Sequence, residues 1–312
     1  MTTVLSPAAS LAHYSTFRLG GPCARLVCCE SVSDLQEEVS SLGRAGESFV
    51  LLGGGSNVLI SDSGLSGTVL RYARDDLSVM ESNPNEYTVS GASSLDALAA
   101  WSARNGLGGL ICCTGIPGTV AGAVVGNAGA WGQQIGDRTT SVTLMDRTGA
   151  TRSASPEQLG FSYRNSRLKK SQDIVVDVTL KLFTSTRAEL LAERSHILRT
   201  RAEKHPNLDK DPCIGSFFRN IEASSAAERR QAAGWFLEQV GAKGMRVGGA
   251  RVFGRHANII VRGPGCTAQD VRDLAEMMKL EVRGKFGLEL VREVRFLGRF
   301  EGEPDRPWHE FM

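Results

Sequence analysis

Residues 53–57 are Gly53, Gly54, Gly55, Ser56 and Asn57, set between two β-type stretches. Successive glycines let neighbouring backbone N–H groups turn toward one point and form a nest for phosphate oxygens, and Ser56 and Asn57 add side-chain donors. No helix pattern follows and the G-x-G-x-x-G spacing is absent, which excludes a Rossmann fingerprint. Taken alone, the run is explained equally well by a tight turn. A second stretch, 114–132, carries Gly115, Gly118, Gly122, Gly126, Gly129 and Gly132 among small apolar residues with almost no charge. A flat apolar ring and a diphosphate could lie directly against such a backbone, so a ligand-binding loop is favoured over a structural one.

Other chemistries find less support. The seven cysteines include the adjacent pairs Cys28/Cys29 and Cys112/Cys113 but no C-x-x-C, so buried or incidental thiols are a better reading than zinc or a disulfide framework. The five histidines make no H-E-x-x-H, and no metal site is expected. The 36 basic and 34 acidic residues are spread along the chain, leaving no basic block to grip nucleic acid. No apolar run approaches the roughly 18 residues needed to cross a bilayer, and the first residues lack signal-peptide character, so a cytoplasmic protein without membrane insertion is expected.

Periodicity suggests how the loops are held. At 312 residues two or three domains are plausible. A capping-box pattern at Ser33 and helical spacing of Leu35, Val39 and Leu42 predict a short helix ending at Gly43. Strands are expected over 48–52, 58–60 and 68–70. Beyond them come a strand at 87–91, a helix over 95–105, the long glycine loop, and strands over 142–145 and 174–183. A helix opened by Thr186 and Glu189 places Leu190, Ile197 and Leu198 on one face, and Pro206 stops it. Further helices are expected over 226–240 and 267–283, with strands over 251–253, 257–261 and 289–297.

The ordered series STFRLGG, LLGGGSNVLISDSG, GIPGTVAGAV, GNAGAWG, FSYRNS, GSFFRN, AAGWFLE, GAKGMRVGGARV, HANIIV and REVRFLG resembles the UDP-N-acetylenolpyruvoylglucosamine reductases of peptidoglycan synthesis over nearly the whole chain. The resemblance implies an α+β protein: a vanillyl-alcohol-oxidase-type FAD-binding fold of two α/β subdomains plus a C-terminal α+β substrate-binding domain. The boundaries expected are 1–71, completed by a strand within 294–312, then 72–203 and 204–293. It also implies FAD, with NADPH as reductant and a UDP-sugar as substrate, in a monomer. Gly53, Gly54, Gly55, Ser56 and Asn57 would take the FAD diphosphate, with Thr114, Gly115, Ile116, Pro117, Gly118, Gly122 and Asn127 also lining the cofactor. No histidine lies in either loop, so noncovalent binding is expected.

Three residues match the family's catalytic positions. The Arg164 guanidinium can hold a carboxylate by two parallel hydrogen bonds. Ser216 matches a proton donor to the carbon beside that carboxylate, and Glu293 an acidic residue acting with the arginine. Without the motifs, a surface ion pair, a turn serine and a cross-strand pair would be the ordinary readings. Tyr163, Lys204, Asn220, Lys243 and His256 match sugar-nucleotide contacts. Arg219, Ile221 and Ile214 depart from the family pattern, and the short span after Asn220 resembles the branch lacking an inserted substrate loop. Residues 301–312 fall outside the match. The alternatives are another FAD oxidoreductase of this fold, or a flavin or sugar-nucleotide binder without turnover.

Overall fold

The computed structural model describes residues 3–5, 9–222 and 230–302. The first unit is a mixed sheet in the order Thr3–Leu5, Pro22–Cys29, Leu65–Tyr72, Phe49–Leu52, and its last three strands run parallel. Helix α1 (Val32–Ala45) covers it and starts on Ser31, whose hydroxyl accepts the Asp34 N–H at 3.1 Å. The cap thus lies two residues before Ser33, because Ser31-Val-Ser-Asp34 carries the same signal. Gly43 does not end the helix. It sits where a Cβ would come 2.7 Å from the Arg147 carbonyl, so close packing accounts for this glycine, and the stop is the left-handed Gly46.

The second unit is an antiparallel sheet in the order Thr151–Ala154, Thr139–Met145, Ile174–Lys181, Glu86–Ser90, Val79–Asn83. Helix α2 (Leu95–Arg104) packs against it. Residues 114–132 are not one open loop. Thr119 caps the short helix α3 (Val120–Gly126), whose Val120, Ala123 and Val124 are buried, and a two-residue hairpin follows. Helix α4 (Pro156–Leu159) precedes the FSYRNS segment. Leu35, Val39 and Leu42 of α1 share a core with Val27 and Leu70 of the first sheet and with Met145, Ile174 and Val176 of the second. Burial of that apolar surface joins the two units face to face.

Helix α5 (Arg187–Lys204) leads into the third unit and buries Leu190 and Ile197, whereas Leu198 stays 39% exposed, turned toward Gly115 instead of the core. The third unit has a small antiparallel sheet of Arg246–Val247, Ala250–Val252 and Ile260–Arg262, covered by helices α6 (Ala233–Gln239) and α7 (Ala268–Phe286). Helix α6 begins later than expected, since Gln231 exchanges two 2.9 Å backbone hydrogen bonds with Ile221. Residues 226–229 of that expected helix and 303–312 of the tail lie outside the described residues.

The strands expected over 257–261 and 289–297 are shorter, at Ile260–Arg262 and Arg295–Leu297. Their missing parts make isolated bridges to the GSFFRN segment instead, Ser216 to Ile259 and Phe218 to Arg292. Arg295–Leu297 pairs in parallel with Val58–Ile60 of the first unit, immediately after the glycine loop. Phe217, Phe218, Phe236 and Leu274 form a core that also takes Phe17, Leu59 and Phe296. The chain therefore crosses from the third unit to the first within a few residues of Glu293.

Candidate active site

The two glycine-rich segments touch each other. A Cβ on Gly54 would lie 2.7 Å from the Gly118 Cα, and one on Gly53 would lie 2.7 Å from the Thr119 hydroxyl oxygen. Ser56 Oγ donates across the gap to the Pro117 carbonyl at 3.0 Å. The glycines are thus needed first for loop against loop. They also leave donors free: the N–H groups of Gly54, Gly55, Ser56 and Asn57 have no acceptor among the described residues. Beside them opens a cleft of about 160 Å³ lined by Gly53, Val58, Thr119, Gly122, Val125 and Arg295. The buried Thr114 hydroxyl has no hydrogen-bond partner among the described residues.

Asn127 differs from the other residues expected at the cofactor. It adopts the left-handed conformation that ends α3, at φ 46, and is 1% exposed. Its Oδ1 accepts from Gly136 N at 3.0 Å and its Nδ2 donates to Ser162 O at 2.8 Å. The side chain therefore ties the glycine segment to FSYRNS.

Next to the first glycine segment, a carboxylate sits among cations. Arg164 Nε lies 3.2 Å from Glu293 Oε1, with the two side chains 27% and 18% exposed. The pair lacks hydrogen-bond alignment at Nε, so the guanidinium is not saturated by its partner. Burial pushes the Glu293 carboxyl up from its usual range, while Arg164, Lys169 and Arg219 pull it back. The same cluster pushes the half-buried Lys169 down to about 8, through burial first and then Arg295.

Ser216 joins the cluster through backbone bonds. Glu293 N donates to Phe217 O at 2.9 Å, and Phe217 N donates to Asn258 O at 2.8 Å. Asn258, 2% exposed, clamps Phe218 with both ends of its amide, at 3.0 and 2.8 Å. Asn57 Nδ2 donates to Glu293 O at 3.2 Å and Asn57 O accepts from Arg295 N at 3.1 Å. The first glycine segment thereby fixes the strand that carries Glu293. The Ser216 hydroxyl has no partner among the described residues and is half-buried.

Tyr163 is gripped from the third unit. Arg219 donates to its carbonyl at 2.7 Å, and the Arg230 guanidinium lies 3.5 Å from the ring centroid. The departure at Arg219 thus has a structural partner, Ile214 is buried in the core and Ile221 packs partly buried against it. His256 belongs to a second group, its ring 5.4 Å from that of His205. Lys204 faces both rings, and Lys243 and Glu238 face His256. Burial lowers both imidazoles, His205 to about 4. Asn220 accepts the Ala233 N–H at 3.2 Å, so its carbonyl oxygen serves the start of α6. Lys169, Arg295 and Asn258 were not anticipated, and no spacing rule marks a lysine or asparagine that acts through tertiary contacts.

Residues 206–297 match the model of the UDP-N-acetylenolpyruvoylglucosamine reductase C-terminal domain, and residues 23–155 match an FAD-binding domain. The UDP-N-acetylenolpyruvoylglucosamine reductase of Solibacter usitatus is 34% identical over 94% of this chain and 97% of its own length. The Synechocystis reductase is 38% identical over 96% and 92%. The chain belongs to the UDP-N-acetylenolpyruvoylglucosamine reductase family. The crystal structure of the reductase from Thermus caldophilus superposes with a TM-score of 0.76 at 29% identity, covering 95% of this chain and 99% of that one. Within this reductase family the free amides of 54–57, the unpartnered Thr114 hydroxyl and the largely apolar cleft beside them fit FAD. All seven cysteines are free, six of them buried, and none lies in the cleft lining.

Proposed function

We propose that the chain reduces the enolpyruvyl group of UDP-N-acetylglucosamine enolpyruvate with NADPH, giving UDP-N-acetylmuramate for peptidoglycan precursor synthesis in the cytoplasm. The observation that carries the residue roles is the convergence of Arg164, Glu293 and the Ser216 segment beside the first glycine loop, where Asn57 holds the Glu293 carbonyl. The amides of 54–57 and the 114–122 backbone would hold FAD, which would supply hydride exchange between NADPH and the substrate. No helix among the described residues is long and apolar enough to cross a membrane.

The substrate double bond is conjugated to a carboxylate, so negative charge grows on the carbon beside that carboxylate as hydride reaches the terminal carbon. Arg164, whose Nε is not saturated by Glu293, holds the carboxylate and stabilises that charge. The Ser216 hydroxyl delivers the proton to the carbanionic carbon. A serine is a weak acid in water, but a fixed hydroxyl beside a strongly basic carbon in a water-poor site can serve. Phe217 and Phe218, both buried, fix its backbone. Glu293 orients the guanidinium and balances the cations. Lys204 and Lys243 supply the cationic side for the UDP group, with His256 beside them as an uncharged imidazole that can donate or accept a hydrogen bond, and Tyr163 and Asn220 nearer the junction of the units.

The test is NADPH oxidation by the purified yellow holoprotein with and without UDP-N-acetylglucosamine enolpyruvate. Oxidation that depends on that compound supports the reading, and flavin present with no dependence rejects it. For Arg164→Ala, kcat/KM is expected to fall at least about 100-fold, with loss in both kcat and substrate affinity. Wild-type kinetics in that variant would leave Arg164 as an ion-pair residue only.

A further inference from the structure

Arg164 occupies the left-handed region, at φ 52. For a residue with a side chain this costs about 1 kcal/mol or more, so the conformation persists only where its surroundings impose it. Ser162 and Asn165 close the turn with backbone hydrogen bonds of 3.0 and 3.1 Å, which fix its ends. The two rotations at the Arg164 Cα swing the peptide planes before and after it. The carbonyl of the first plane, Tyr163 O, accepts from the Arg219 guanidinium at 2.7 Å. The carbonyl of the second, Arg164 O, accepts from the Lys169 ammonium at 2.7 Å. Each plane is therefore pinned by a charge-assisted hydrogen bond, and together they aim the side chain at Glu293.

Lys169 is itself fixed. Its N–H donates to Ser166 O at 3.2 Å, and its carbonyl accepts from Arg295 at 3.1 Å. The charged groups facing its ammonium are Arg164 on the turn, Glu293 and Arg295 on the C-terminal segment, and Arg219 from the third unit. Three cations against one carboxylate make this a costly place for a lysine. A lysine serving only to fill space would be better replaced by an apolar chain. Among the described residues its ammonium donates to the Arg164 carbonyl.

We infer that Lys169 is a positioning residue for the reductive step: with Arg219 it locks the left-handed backbone of Arg164, so that the guanidinium meets the substrate carboxylate in one orientation. This rests on the reading that Arg164 binds that carboxylate. The protonated amine holds the carbonyl about twice as strongly as a neutral one would. Burial and the neighbouring cations place its titration at about 8, well below an ordinary lysine. The lock is therefore present below that pH and weakens as pH rises through it, so the substrate-reducing step should lose rate on the alkaline side.

The experiment compares Lys169→Met and Lys169→Arg holoenzymes in the two half-reactions across pH 6 to about 10. In Lys169→Met, bleaching of the yellow colour by NADPH should stay within about threefold of wild type, while its return on adding UDP-N-acetylglucosamine enolpyruvate slows by about 100-fold. Its alkaline limb near pH 8 should vanish. Lys169→Arg should retain rate within about tenfold and carry the limb to higher pH, because a guanidinium does not titrate there. Wild-type reoxidation in Lys169→Met, or a limb at the wild-type position in Lys169→Arg, overturns the inference. Should Lys169→Met fail to hold FAD, the Lys169→Arg pH profile decides alone. A wild-type Arg164→Ala would instead sink the underlying reading, whereas an impaired Arg164→Ala beside a normal Lys169→Met sinks this inference only.

Discussion

The glycine end and the charged end of the site are built on different principles. The glycine end is made from two short runs whose backbones touch: Gly54 meets Gly118, Gly53 meets Thr119, and four consecutive amides are left for a ligand. The charged end is made from side chains of three separated segments, Tyr163 to Lys169, Ser216 to Arg219 and Arg292 to Arg295, aligned by Asn57 and Asn258. One end binds through backbone, which composition announces. The other reacts through side chains whose neighbours are known only after folding. A backbone site should fail by losing fit, and a side-chain site by losing rate while fit remains.

The largest effect should therefore come from Ser216→Ala. Removal of a proton donor costs about 10² to 10⁴ in rate. The Ser216 hydroxyl has no partner among the described residues, so its loss should leave stability and FAD content unchanged. We expect NADPH to bleach the enzyme at its normal rate and the enolpyruvyl substrate to restore the colour at least 100-fold more slowly, about the lower end of that range. Equal slowing of both half-reactions would erase the distinction between the two ends at this residue.

Gly54→Ala is the matching change at the backbone end. The new methyl would sit 2.7 Å from the Gly118 Cα, where only backbone can give way. Overpacking of this kind costs about 1 to 3 kcal/mol, and here it would spread the two loops and displace the free amides of 54–57. FAD should be lost on gel filtration and thermal stability should drop. Protein reconstituted with excess FAD should still show near-normal kcat. A low kcat at saturating FAD would mean that the loops also set the chemistry.

The same contrast explains what the sequence disclosed. Hydrophobic period and caps place α2, the strand Val58–Ile60 and the start of α7 at Thr267, because those signals act within one turn or strand. Helix α6 was overextended since Ala226, Ala232 and Ala233 look helical locally, yet Gln231 is held by Ile221 through two backbone bonds. Gly43 looked like a stop because its partner, the Arg147 carbonyl, is more than a hundred residues away. Arg164, Ser216 and Glu293 were visible only through resemblance. Lys169 and Asn258 carry no local mark, for their work is to hold the backbone of other segments.

Ser56 offers the finest cut. Its hydroxyl crosses from the first glycine segment to the Pro117 carbonyl, one 3.0 Å bond in a partly exposed place. Such a bond contributes about 0.5 to 1.5 kcal/mol. If glycine packing sets the separation of the loops, Ser56→Ala should lower FAD affinity by no more than about tenfold, because 1.4 kcal/mol is one decade of binding. Its kcat at saturating FAD should be that of wild type. A loss as large as that of Gly54→Ala, read by FAD titration of the apoprotein, would place the hold on the loops in the side chain. The glycines would then serve mainly to clear room for it.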